Sequence, residues 1–214
     1  MITITALKQV PDFAKGQVRD LRPRWALEET GLEYNVRLLE SGEQDTADYR
    51  SLQPFGQVPL MQHGDLTLFE SGAIVLYIAE KSGQLLPKDA DDRMLAIQWL
   101  FAALNSIEPS QVNFFLADVP FADQDWAKLR RAGAYDFAKH RLNWLSKALG
   151  DKPYLVADQF TIADLMMVSI LRINAHCDIV TSDENLNAYL KRCTDRPAFQ
   201  RALKGQYSGF AIAA

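Results

Sequence analysis

Ile2, Ile4 and Ala6 alternate with Thr3 and Thr5 at the start of the chain, the period of two that a half-buried strand requires. A helix follows, read with Asp20 as its cap, Pro23 in its first turn and Gly31 just past its end. From Glu33 to Leu39 the alternation returns, Tyr34, Val36 and Leu38 against Glu33, Asn35 and Arg37, and predicts a second strand. Residues 40–52, with Asp45, Asp48 and Arg50, form a polar connector with room for a short helix. Pro59 pushes Val58 toward the extended region, so a strand is expected to begin at Val58 and run through Gln62. His63-Gly-Asp65 reads as a tight turn and Leu66 to Phe69 as the returning antiparallel strand. Ser71 then reads as the N-cap of a helix whose core, Ala73 to Ala79, is apolar nearly all round and which stops near Gly83. The element order is βαβ followed by ββα, and a right-handed crossover makes the first two strands parallel.

Beyond Leu85-Leu-Pro-Lys-Asp89 the period changes to that of helices, and the chain divides into an α/β domain over residues 1–84 and an all-α domain over 90–214. Helices are predicted at 91–118, 123–149, 161–175, 183–193 and 197–204. In the first, Ile97, Leu100, Phe101 and Leu104 recur every three or four residues. Thr161-x-x-Asp164 is a capping box with the acid in the place of glutamate, and Phe160 is placed to pack onto Leu165.

Composition narrows the function classes. At 48% hydrophobic and 23% charged, 214 residues suit one large or two small domains with a sizeable core. A net charge of −4 argues against nucleic acid or an acidic membrane surface as partner. No run approaches the roughly eighteen apolar residues of a membrane span, and Met1-Ile-Thr-Ile-Thr5 lacks the basic-then-apolar start of a signal peptide, so a cytoplasmic protein is expected. Cys177 and Cys193 have no Cys-x-x-Cys spacing and no histidine and acid cluster beside them, and read as structural thiols; no metal is expected.

The chemistry concentrates at Gln53-Pro-Phe-Gly-Gln-Val-Pro59 and Glu70-Ser71. A proline-stopped turn beside a hairpin and an anion-friendly helix start can hold a peptide-like ligand. With Phe160-Thr-Ile-Ala-Asp164 downstream, these residues make the chain resemble the glutathione S-transferase family over nearly its whole length. The resemblance implies a thioredoxin-like N-terminal domain, an all-helical second domain, a homodimer and glutathione as co-substrate. It also implies a cis peptide at Pro59, which turns the backbone of Val58 toward the cysteinyl part of glutathione, with Gln57 beside it and Glu70 and Ser71 on the γ-glutamyl end. Ala157 departs from the glycine that the family commonly carries in the turn before its acid.

A larger departure lies after the first strand. The family places a tyrosine, serine or cysteine there to stabilise the thiolate, whereas Leu7 to Arg22 contains none of these. Aligned on Arg22-Pro-Arg-Trp-Ala-Leu27, the positions hold Gln17, Val18, Arg19 and Asp20. The segment instead carries Lys8, Lys15, Arg19, Arg22 and Arg24 against Asp12 and Asp20. A cation beside a thiol lowers its pKa from about 8.5 toward about 7, which makes Arg19 and Lys15 the candidate catalytic residues. Phe13, Ser110 and Phe114 are the candidate walls for a small electrophile. Conjugation is the leading reading; glutathione-dependent disulfide or peroxide reduction, and a non-catalytic binding module on the same fold, are the alternatives.

Overall fold

The computed structural model describes residues 1–210, which group into two compact units: Met1–Leu85 with the chain from Arg196 onward, and Leu86–Asp195.

The first unit is built on a four-stranded sheet of order β2-β1-β3-β4, made of β1 (Ile2–Leu7), β2 (Tyr34–Leu39), β3 (Leu60–His63) and β4 (Leu66–Phe69). β1 and β2 are parallel, as the crossover rule requires; β3 runs antiparallel to β1 and to β4. Helix α1 (Leu21–Thr30) and helix α3 (Ser71–Ser82) pack on each other, and Trp25, Leu27, Ile74 and Ile78 are fully buried with Ile4 of β1. Because side chains alternate along a strand, Leu7 belongs to the opposite face, where it packs with Leu39, Leu60, Val58, Phe69 and Tyr49 of α2 (Ala47–Leu52). Helix α1 ends as read, with Gly31 in the left-handed region at φ 68°.

Three local expectations fail for definable reasons. Strand β3 starts at Leu60 rather than Val58, since Pro59 has no N–H to give a ladder; the Val58–Pro59 peptide is cis. Asp20 stands at the N-cap position of α1 without capping it, its carboxylate being engaged elsewhere. Ser71 is the first residue of α3 rather than its cap; Glu70 holds the cap position.

The second unit is helical throughout: α4 (Ala90–Ala102), α5 (Glu108–Asp118), α6 (Asp125–Leu149), α7 (Ile162–Leu171) and α8 (Glu184–Thr194). The single helix expected over 91–118 is interrupted by a π-turn at Ala103–Ile107, where Glu108 donates to Ala103 O. Pro109 has no N–H to continue the α-helical ladder, and the widened turn accommodates it. All ten residues of α7 are buried, so this helix is the centre of the unit. Its capping box forms as read, and Asp164 additionally accepts from Leu155 N and from Tyr189 Oη at 2.9 and 2.8 Å. Ala157, at φ 52°, takes the left-handed conformation that favours glycine.

The last helix, α9 (Pro197–Gly209), extends five residues past its expected end and packs on α1 rather than on the helices that precede it. Arg196 grips Glu29 with two hydrogen bonds, Arg201 pairs with Glu28, and Phe199 meets Trp25 edge-on at 4.8 Å. Among the described residues no helix is long and apolar enough to cross a membrane.

Candidate functional site

The β3–β4 hairpin assembles the site by register. Leu60 pairs with Phe69, so Val58–Pro59, just before the first strand, and Glu70–Ser71, just after the second, emerge side by side from the same end of the sheet. Neither segment is near the other in sequence distance terms that a helix or turn would supply. The antiparallel ladder brings them together.

Behind this edge a chain of hydroxyls holds the turn. Leu60 N donates to Thr5 Oγ1 at 2.8 Å, Thr5 Oγ1 meets Tyr49 Oη at 3.0 Å, and Tyr49 Oη donates to Gln57 O at 2.8 Å. The relay brackets Val58 and Pro59 from both sides. Burial pushes the Tyr49 phenol up, which keeps it a donor. In front of the turn, Val58 has its side chain in the core, and no described residue hydrogen-bonds its backbone. An exposed, unpaired length of extended backbone beside a sheet is a template for one more strand.

Glu70 is held at φ 69° and ψ 115°, a costly conformation for a residue with a Cβ. Its carboxylate is exposed and pairs with no described residue. Ser71 is buried, with 5% of its surface exposed, and its Oγ accepts a hydrogen bond from Arg22 Nη1 at 3.0 Å; Arg22 is itself 4% exposed. A guanidinium, a hydroxyl and the N–H groups of the first turn of α3 thus converge at one point, the donors an anion needs. Arg22 was not among the expected site residues. Its signal in the sequence was only its place among the five cations of the segment after the first strand.

The basic segment after β1 is less free than its composition suggests. Lys15 pairs with Asp12 at 2.6 Å, Lys8 with Glu40 at 2.7 Å, and Arg24 Nε with Asp20 at 2.7 Å. The last pair is buried, and burial pushes the Asp20 carboxyl up against the pull of Arg24 and of Gln206. Arg19 is exposed, on the turn that leads into α1.

Of the expected substrate contacts, Phe13 is 46% exposed on the same segment. Ser110 and Phe114, at 2% and 1% exposure, lie inside the helical unit: Ser110 Oγ donates to Ile107 O, and Phe114 meets Tyr135 edge-on at 5.3 Å. Both side chains are buried within the helical unit, Phe114 against Tyr135 of α6. No disulfide joins Cys177 and Cys193, and burial pushes the Cys177 thiol up, away from reactivity. Among the described residues no group of three or more histidine, cysteine or acidic side chains is placed to hold a metal.

Comparison with known proteins covers both halves of the chain. The profile of the glutathione S-transferase N-terminal domain matches residues 13–80, and that of the C-terminal domain matches residues 131–197. Glutathione S-transferase F13 of Arabidopsis thaliana is 32% identical over 168 residues, which cover 73% of this chain and 76% of that protein. A glutathione transferase from Pseudomonas putida, solved with one glutathione disulfide per subunit, superposes with a TM-score of 0.83 at 26% identity, over 95% of this chain and 90% of that one. Another from Burkholderia graminis, solved with two glutathione molecules per subunit, gives 0.83 at 28% identity, over 95% and 87%.

Proposed function

The chain belongs to the glutathione S-transferase family, and on that premise we propose that it binds glutathione at the end of the β3–β4 hairpin and transfers its thiolate to a small electrophile. The observation that carries the reading is the unpaired backbone of Val58 lying beside Glu70 and Ser71. The cysteinyl segment of the tripeptide pairs with Val58 as an added strand, next to Gln57 and Pro59. The γ-glutamyl ammonium takes the Glu70 carboxylate, and its carboxylate takes Ser71, Arg22 and the start of α3. The sulfur then falls toward the segment after β1, where Arg19, with Lys15 as the second cation, supplies the charge that favours the thiolate. In conjugation the thiolate forms a carbon–sulfur bond at the electrophilic carbon, which loses its leaving group or shifts its electron pair to an acceptor atom.

A second reaction on the same site is favoured by the two bacterial neighbours, whose structures hold a glutathione disulfide and two glutathiones. In that reading one bound thiolate attacks the sulfur of a mixed disulfide, forms glutathione disulfide and releases the other thiol, with no protein cysteine involved. Steady-state assays with an aryl halide and with a glutathionyl mixed disulfide separate the two. Turnover of the halide alone supports conjugation, and turnover of the disulfide alone supports exchange. We also expect a homodimer, as the family form implies; sedimentation showing a concentration-independent monomer refutes it.

A further inference from the structure

The segment that faces the thiol in this reading is clamped by a helix from the far end of the chain. Gln206 of α9 is 1% exposed, and its Nε2 donates two hydrogen bonds, to Val18 O at 3.0 Å and to Asp20 Oδ1 at 2.7 Å. These two acceptors flank Arg19. The other oxygen of Asp20 accepts from Arg24 Nε at 2.7 Å, so the carboxylate is fixed from both sides. The next residue, Tyr207, continues the contact: its Oη donates to Lys15 O at 3.4 Å, and it lies 3.0 Å from where a Cβ on Gly16 would stand. Gly16 sits at φ 76°, so glycine is needed there for the backbone as well as for the space.

The turn into α1 has its own backbone bonds, from Leu21 N to Val18 O at 3.0 Å and from Arg22 N to Arg19 O at 3.1 Å. One amide that bonds both neighbours of Arg19 ties that turn to α9. We propose that Gln206 is a positioning residue, which sets the Val18–Asp20 turn so that Arg19 and the backbone at the start of α1 meet the bound thiol. The inference rests on the glutathione reading above. It assigns α9 a part in thiolate activation, through Val18 and Asp20, with no contact between Gln206 and the ligand. The cost of misplacing the charge falls on the thiol pKa and not on the binding of the tripeptide, which depends on Val58, Glu70 and Ser71.

The test replaces Gln206 by methionine, which keeps the length and removes both donors, and titrates the ultraviolet absorbance of the thiolate in the glutathione complex. The expected result is a rise of about one pKa unit, a tenfold loss of thiolate below that pKa, with the glutathione Kd within about twofold. Arg201→Ala, which loosens the same helix from Glu28 away from the turn, is expected to leave the thiol pKa unchanged. An unchanged pKa in Gln206→Met, or an equal rise in Arg201→Ala, overturns the assignment. Hydrogen exchange of the unliganded protein supplies a readout that needs no ligand: peptides over residues 15–21 must speed up in Gln206→Met while those of α3 do not, and a uniform change across the unit overturns it. A thiol that is unshifted in the unmodified protein refutes the glutathione-activation reading and this inference together, whereas one shifted there and still shifted in Gln206→Met refutes this inference alone.

Discussion

Arg22 Nη1 lies 3.0 Å from Ser71 Oγ, joining the first turn of α1 to the first residue of α3 in a setting where both side chains are buried. A buried guanidinium is stable only where it has partners, and the hydroxyl it grips is the one expected to bind the γ-glutamyl carboxylate. On the glutathione reading, a bound carboxylate would add an anionic partner to a charge already in place. Ser71→Ala removes one hydrogen bond to a charged group, on the order of 1.5 to 3 kcal/mol, and is expected to weaken glutathione roughly tenfold or more by calorimetry. Arg22→Lys keeps the charge but not the planar fork, and a loss of similar size is expected. Unchanged affinity in both variants removes the anion site.

Arg19→Ala tests the charge itself. The thiol pKa of bound glutathione should rise by about one unit, or about 1.4 kcal/mol. Arg19 is exposed, so the effect should shrink in high salt, where screening shortens the reach of the charge. Lys15→Ala tests the second candidate cation, and an unchanged pKa there leaves the role to Arg19. The same ultraviolet titration decides both.

Tyr49→Phe breaks the relay that brackets Val58 and Pro59. Both bonds of its hydroxyl are lost and the Gln57 carbonyl is left without that donor, which should cost about 1 to 3 kcal/mol in denaturant unfolding. Because the relay shapes the backbone that pairs with the ligand, glutathione affinity should fall as well. A destabilised protein with full affinity would show that the turn keeps its shape without Tyr49.

Asp118 predicts a pH dependence. Partial burial pushes its carboxyl up, but hydrogen bonds and charge from Arg131 and His176 outweigh this and hold it below the usual carboxylate range. A lowered folded pKa means that ionised Asp118 contributes stability above its unfolded pKa, near 3.9, and that the contribution is lost as pH falls through the folded value. Asp118→Asn should therefore be less stable than the unmodified protein at neutral pH, and the gap should close below about pH 4. Urea unfolding across pH 3 to 7 measures it; a gap that stays constant with pH contradicts the linkage.

Asp164→Ala strips a fully buried network. Leu155 N, Thr161 N and Tyr189 Oη all lose their acceptor at the start of the central helix α7. Each unsatisfied buried donor costs about 1 to 3 kcal/mol, so the variant should unfold far more readily, with a loss on the order of 3 kcal/mol or more. Thr161→Ala, which removes the cap on Ala163 N and the hydroxyl's own bond to Asp164 but leaves the other donors their acceptor, should lose less, about 1 kcal/mol. Equal losses in the two would place the weight on the cap alone.

What the sequence by itself determined was whatever local periodicity and backbone chemistry dictate. Alternation in Ile2–Leu7 and Tyr34–Leu39, the left-handed stop at Gly31 and the box of Thr161 with Asp164 all depend on neighbours a few residues away, and all formed as read. Glu70 and Ser71 were legible as a possible ligand site because a helix start and a strand end are local signals. The tertiary structure alone decided which partners the polar side chains would choose. Asp20 had the position of a cap but is taken by Arg24 and Gln206, the latter 186 residues away in sequence. Ser110 and Phe114 were read as candidate walls for a substrate, but their side chains lie buried within the helical unit. Arg22 meets Ser71 only because β3 and β4 deliver Ser71 to it. Helix α9 carries the signature of any amphipathic helix, and nothing local says that it leaves the helical unit to pack on α1. Burial and long-range hydrogen bonding are properties of the assembled chain, so the residues that shape this site were set where distant segments meet.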